Sequence, residues 1–279
     1  MKQDSRVRPP AVAGMFYPGL AGQLEAQVSE FLDVAQPEKL QDDIVALVSP
    51  HAGYVYSGPT AANGYKLLEK RRFETVVIVS PSHREYFDGI SLYGGSAYRT
   101  PMGDTPLDVQ LREQITEGER LIVVSDAGHR SEHAIEVQLP FLQKVLGDFQ
   151  FLPVVMGDQR RELCFLLGHK LAQVLVGRKA LLIASTDLSH FHPYSAAVER
   201  DKRVIDLVGS FDYEGLMTDL ELEKAEACGG GPTVAVMLAA RELGADRVVI
   251  LHHCNSGDVT GDRSGVVGYL SAAIVKTAA

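Results

Sequence analysis

Ile44-Val45-Ala46-Leu47-Val48-Ser49-Pro50-His51-Ala52-Gly53-Tyr54 reads as an apolar run that stops at a proline and delivers a histidine. A short continuous apolar run, with no polar alternation, suits a strand whose sheet is covered on both faces. The same arrangement returns along the chain. Thr75–Val79 runs into Ser80-Pro81-Ser82-His83, and Leu181–Ser185 runs into Thr186-Asp187-Leu188-Ser189-His190-Phe191-His192. Arg247–Leu251 runs into His252-His253-Cys254-Asn255. Further strands are expected at Gly89–Tyr93, Leu121–Ser125, Phe151–Met156 and Val266–Ala273.

Between these runs, helical periodicity marks Leu20–Val34, Pro59–Lys70, Asp108–Gly118, Ser131–Leu146, Glu162–Val176, Ala196–Gly209, Asp212–Ala227 and Pro232–Leu243. Pro140 conflicts with the middle of the Ser131–Leu146 pattern, since a proline there removes a backbone hydrogen bond. Strand–helix alternation over the whole length implies an α/β layered fold, with a central mixed, largely parallel sheet flanked by helices. No repeat, low-complexity tract or long linker interrupts residues 1–279, so a single domain is expected.

Composition fits that picture. Hydrophobic residues are 46% and charged residues 23%, enough for a sizeable core. The net charge of −9 argues against non-specific nucleic-acid binding and against adhesion to an anionic membrane. Three cysteines, an odd number without close pairing, do not look like a secreted disulfide framework. The opening MKQDSRVRPP has no apolar segment of a signal peptide, and no run suits a membrane helix. A reducing cytoplasm is the expected location.

In open α/β sheets, ligands bind beyond the carboxyl ends of the strands. Histidines delivered there from separate strands can converge, and imidazole is the commonest metal-binding side chain. A second feature is Cys228-Gly229-Gly230-Gly231-Pro232-Thr233. Pro232 suits a helix start, and the positive end of that helix, or a metal, would favour the Cys228 thiolate. One thiolate with two imidazoles makes a three-ligand site with open positions. A third feature is Glu132-His133 with Glu136, where His133 and Glu136 would share one helical face. Each has a structural alternative. His51 and His83 could simply finish turns, Cys228 could be a small buried residue, and Asp187 could cap a turn. His133 and Glu136 could be a solvated helix pair. His252 and His253 point to opposite strand faces, so at most one is expected at the site.

Taken together these motifs resemble the Memo family. The segments that carry the likeness are Arg8-Pro9-Pro10-Ala11-Val12-Ala13-Gly14-Met15-Phe16-Tyr17-Pro18, Pro50–Gly58, Pro81-Ser82-His83, Tyr98–Pro101, Glu132–Phe141, Ser185–His190 and Cys228-Gly229. They follow the family's order over nearly the whole chain. The prokaryotic branch is called AmmeMemoRadiSam system protein B. The resemblance therefore implies a radical-SAM protein and an AMMECR-type protein as partners, and a homodimer is also expected. The family's fold is similar to that of class III extradiol dioxygenases, the LigB-like non-haem iron enzymes. By that resemblance His51, His83 and Cys228 occupy metal-ligand positions, and His190, with Asp187 beside it, matches the catalytic acid/base.

The dioxygenases carry a carboxylate where this chain has Cys228. A softer thiolate admits copper or zinc as well as iron and argues against ordinary catechol cleavage. Three functions are expected to compete. The first is a redox enzyme in which His190 moves a proton and Asp187 or His133 orients the site. The second is a ligand- or peptide-binding protein using Tyr54, Tyr56, Arg99, Glu136 and His192. The last is a zinc hydrolase.

Overall fold

The structure, a computed structural model, describes residues 6–277. Residues 1–5 of the opening stretch, read above for an export signal, lie outside the described residues. The strands are β1 (Val7–Arg8), β2 (Asp43–Ser49), β3 (Thr75–Pro81), β4 (Ile90–Leu92), β5 (Ala97–Thr100), β6 (Gly103–Pro106), β7 (Ile122–Val124), β8 (Gln150–Met156), β9 (Ala180–Ser185), β10 (His190–His192), β11 (Arg247–Asn255) and β12 (Val266–Lys276). The helices are α1 (Ala21–Val34), α2 (Tyr54–Lys66), α3 (Val109–Thr116), α4 (Leu139–Leu146), α5 (Arg161–Leu175), α6 (Tyr194–Gly209), α7 (Tyr213–Glu221), α8 (Gly230–Glu242) and α9 (Ser256–Thr260).

Nine strands form one mixed sheet, ordered β10-β12-β2-β9-β3-β8-β4-β7, with β11 paired to β12. The central β2, β9, β3 and β8 are mutually parallel, while β12 runs antiparallel to β2 and β4 antiparallel to β8. A small sheet of β1, β5 and β6 lies apart from it.

Successive side chains of a strand point to opposite faces, and the cores obey that period. Val77 and Val79 join one cluster with Ala46, Val48, Leu182 and Ala184, packed under α5 and α8. Val76 and Ile78 join the other with Leu181 and Ile183, under α1, α2 and α4. The result is the expected three-layer α/β fold. None of its helices is long and apolar enough to cross a membrane, among the described residues.

Local departures from expectation have tertiary causes. Helix α2 begins at Tyr54 rather than Pro59. Tyr54 is buried, its N–H donates to the Phe16 carbonyl and its hydroxyl to that of Val137, so packing starts the helix before the proline. The Ser131–Leu146 pattern is helical only from Leu139, after a single 3₁₀ turn over Glu136–Gln138, and Pro140 then sits in the first turn, where its missing N–H is tolerated. Helix α7 stops at Glu221, short of Ala227, and α8 starts at Gly230. Strand β11 runs on through Asn255, so His252 and His253 lie within a strand rather than in a loop beyond it.

Candidate metal centre

Strands β2, β3 and β9 end side by side, and their carboxyl ends deliver the residues singled out above. A nitrogen of His51, a nitrogen of His83 and the sulfur of Cys228 all lie within 4.8 Å of one another. His51 Nε2 is 3.1 Å from Cys228 Sγ. The rings of His51 and His83 are 5.0 Å apart at their centroids. His133 closes a triangle with them, at 5.4 Å from His51 and 4.8 Å from His83.

The hydrogen bonds behind these rings fix their tautomers. Ser185 Oγ has one proton, which it donates to the Ala134 carbonyl at 2.8 Å. It accepts from Gln138 Nε2 at 2.8 Å, and Gln138 is itself oriented by the Tyr65 hydroxyl on its oxygen and the Pro50 carbonyl on its nitrogen. Ser185 Oγ must therefore also accept from His51 Nδ1, 2.9 Å away. That leaves Nε2 as the bare nitrogen, facing Cys228. His83 is set the same way, because its Nδ1 lies 2.9 Å from Glu132 Oε1, which can only accept. Its Nε2 is then free as well.

Electrostatics keep the His51 imidazole in ligand form. Burial, reinforced by the neighbouring His83, pushes the His51 pKa down to about 3. Burial and His51 lower that of His133 to about 4. Burial works to raise Glu132, but the hydrogen bond from His83, with His133 also beside it, holds it down at about 2. Cys228 departs from the helix-dipole expectation. Burial, followed by the nearby Asp187 charge, pushes its thiol well above the ordinary range. A cation beside the sulfur is what would make the thiolate. Two bare imidazole nitrogens and one sulfur, each held from behind, fit a transition-metal ion.

Asp187 ties the centre together. It accepts the His51 N–H at Oδ1 (2.8 Å), donates its own N–H to Cys228 Sγ (3.2 Å), and takes the Cys228 N–H on its carbonyl (3.2 Å). Burial raises its carboxyl pKa. In front of the cluster lies a cavity of about 500 Å³, bordered by His133, Asp187 and His190 and walled by Met15, Phe16, Tyr56, Phe191 and Tyr269. His190 donates its backbone N–H to Glu226.

A model described as "Memo-like protein" matches residues 8–273. The chain belongs to the Memo-like family. It is 39% identical over 272 residues to a MEMO1 family protein of Methanosarcina barkeri, covering 96% of this chain and 99% of that one. A Nitrosopumilus maritimus MEMO1 family protein is 34% identical over 268 residues, with 94% and 98% covered. Among solved structures, an uncharacterized protein of Escherichia coli K12 is similar in fold. Its TM-score is 0.56 at 18% identity, over 83% of this chain and 99% of that one.

Four residues expected in the pocket lie elsewhere in this Memo-like chain. Arg99 is exposed on the β5–β6 hairpin and ion-pairs with Asp104 at 2.6 Å. Tyr54 is buried with its hydroxyl spent on Val137, and the neighbouring Tyr56 reaches the cavity instead. His192 pairs with Glu226 at 2.7 Å. Glu136 does not share a helical face with His133, because the chain there is not yet α-helical. It turns away and accepts from Arg8 Nη1 (2.5 Å), the Tyr17 hydroxyl and the backbone N–H groups of Ala11 and Val12. His252 contacts Thr60 and stays outside the cluster.

Sequence reading passed over Ser185, Gln138 and Arg8. Ser185, at the end of β9, and Gln138, six residues after Glu132, carry no chemistry of their own that would single them out. Arg8 sits in a proline-rich opening whose partner is 128 positions away.

Proposed function

We propose that this chain holds a metal ion at His51 Nε2, His83 Nε2 and Cys228 Sγ, a redox metal when it is iron or copper and a purely Lewis-acidic one when it is zinc. The supporting observation is the hydrogen bonding at Nδ1 of both histidines, which leaves Nε2 bare on each ring, that of His51 3.1 Å from the Cys228 sulfur. A bound iron or copper ion would supply one-electron chemistry and a Lewis-acid centre there.

The chain's own residues then have separable tasks. Glu132 and Ser185 hold the ligand rings by their Nδ1 atoms. The Asp187 backbone N–H steadies the sulfur. The walls at Phe16, Tyr56 and Phe191 exclude water and pack a partly apolar molecule. His190, on the cavity border, moves a proton on its imidazole, and the neutral His133 ring orients the guest. This arrangement is the dioxygenase-like reading with a thiolate in the carboxylate position.

The test is anaerobic loading with Fe(II) and, separately, Cu(I), followed by desalting, elemental analysis and oxygen-uptake assays on electron-rich substrates. Wild type is expected to retain about one ion per chain, and His51→Ala and Cys228→Ala almost none. Equal retention by all three proteins would sink the assignment.

A second reading, binding without turnover, is favoured by two exposed apolar side chains on the rim, Met15 at 72% and Phe191 at 78%. Its occupants would be a small molecule, or a peptide of a radical-SAM or AMMECR-type partner. Pull-down of those partners with wild type and Phe191→Ser separates it from the first, since only this reading requires the rim for capture.

A further inference from the structure

The opposite edge of the sheet, where β2, β3 and β9 begin, holds a separate cavity of about 750 Å³. Seven-residue strands span roughly 23 Å, so this cavity is far from the histidine cluster. Its lining is basic in an acidic protein. The chain has 27 Lys and Arg against 36 Asp and Glu, yet the cavity gathers six cations and a single carboxylate, that of Asp43.

Two of the six are committed to structure. Arg71 donates to the carbonyls of Leu67, Asp42 and Leu40, and Arg178 donates to Gln114. The other four, Lys70, Arg72, Lys179 and Lys276, are exposed at the cavity and make no ion pair among the described residues. Six like charges gathered around one carboxylate repel one another, so an anion is what would relieve them.

The backbone also departs from relaxed geometry there. Lys70 holds a φ of 66°, a left-handed conformation that a lysine adopts at a penalty and that the surrounding structure must enforce. Lys70, Arg72 and Phe73, at and just after that turn, all line the cavity. Beside the cations the lining is apolar, with Ile44, Phe73, Leu175 and Leu243. A bare phosphate would leave that half of the cavity unused. The volume lies in the range of small-molecule sites.

We infer that this cavity is a second ligand site and takes a nucleotide-class molecule. The phosphates lie among Lys70, Arg72, Lys179 and Lys276, and the planar base lies against Phe73 and Leu243. The inference is independent of the metal reading, since no residue is shared between the two sites.

Calorimetric titration of the full chain in the presence of EDTA tests it, with ADP, inorganic pyrophosphate, adenosine and hexaglutamate as parallel probes. ADP is expected to bind saturably with a Kd under about 100 μM, and pyrophosphate at least about tenfold more weakly. Arg72→Glu and Lys179→Glu should each weaken ADP by about tenfold, while His51→Ala leaves it unchanged. If a reversal variant fails to fold by circular dichroism, Arg72→Gln and Lys179→Gln carry the same comparison with a smaller loss. Four results would each overturn the proposal. They are no saturable ADP binding up to about 1 mM, ADP binding that survives loss of both charges, pyrophosphate binding as well as ADP, and hexaglutamate binding more tightly than ADP.

Discussion

Ser185 has a single hydroxyl proton, and the Ala134 carbonyl takes it. From that follows which nitrogen of His51 is bare, and so which atom a metal would meet. Removing the hydroxyl with Ser185→Ala, or the carboxylate with Glu132→Gln, frees a ligand ring to rotate or change tautomer. Each is expected to lower metal affinity by roughly 10- to 100-fold with little change in fold, read by competition against a chromophoric chelator. An unchanged affinity in both would mean that the rings are held by packing alone.

His129 offers a cleaner acid-stability test, because it stands outside the cluster. Its Nε2 donates to the Ser91 carbonyl (3.1 Å) and its Nδ1 accepts from the Tyr98 hydroxyl (2.6 Å). Burial lowers its pKa to about 3. The folded state thus binds fewer protons than the unfolded chain, whose histidine titrates near 6.5. The stabilisation is complete above that value and is lost as pH falls toward 3. Between pH 7 and pH 5 the metal-free protein should lose on the order of 2 kcal/mol through this residue. His129→Asn should flatten the denaturant midpoint against pH, and a parallel curve in the variant would refute the assignment.

At the scale of elements, the turn before α8 sets where the sulfur lies. A Cβ on Gly229 would come within 2.3 Å of the Ser185 carbonyl oxygen and 2.8 Å of Thr186, both backbone-anchored on the end of β9. Gly229→Ala must push the Cys228 turn away from His51. Metal retention is expected to fall by at least about tenfold, with far-UV circular dichroism unchanged. The Cys228-Gly229-Gly230-Gly231 run is plain in the sequence, but what Gly229 packs against is not. The same holds for His133 and Glu136. Their spacing of three suggested a shared helical face, yet the α-helix begins only at Leu139, and Glu136 turns instead to Arg8 and Tyr17. The end of β2 at Ser49 fared better, because the proline that follows is a local signal, whereas β3 runs on through Pro81.

Across the whole molecule, the opening segment is fastened to the far side of the site by one buried ion pair. Arg8 Nη1 meets Glu136 Oε2 at 2.5 Å, with both side chains almost fully buried, and the same guanidinium donates to the carbonyls of His129 and Glu132. Removing one partner strands a buried charge. Glu136→Gln or Arg8→Met should each destabilise the fold by about 3–5 kcal/mol, and the double variant by less than their sum. Additive losses in urea unfolding would show that the two charges do not depend on each other.

The sequence by itself determined the layered α/β class, the strands that end in histidine, and family membership. Each of these rests on local periodicity or on short motifs read in order. Only the tertiary structure decided that His51, His83 and Cys228 meet while Arg99, His192 and Glu136 do not, and that Ser185 and Glu132 select the free nitrogens. A side chain's direction and hydrogen-bond partners depend on segments more than a hundred residues away, and nothing in the local spacing records them.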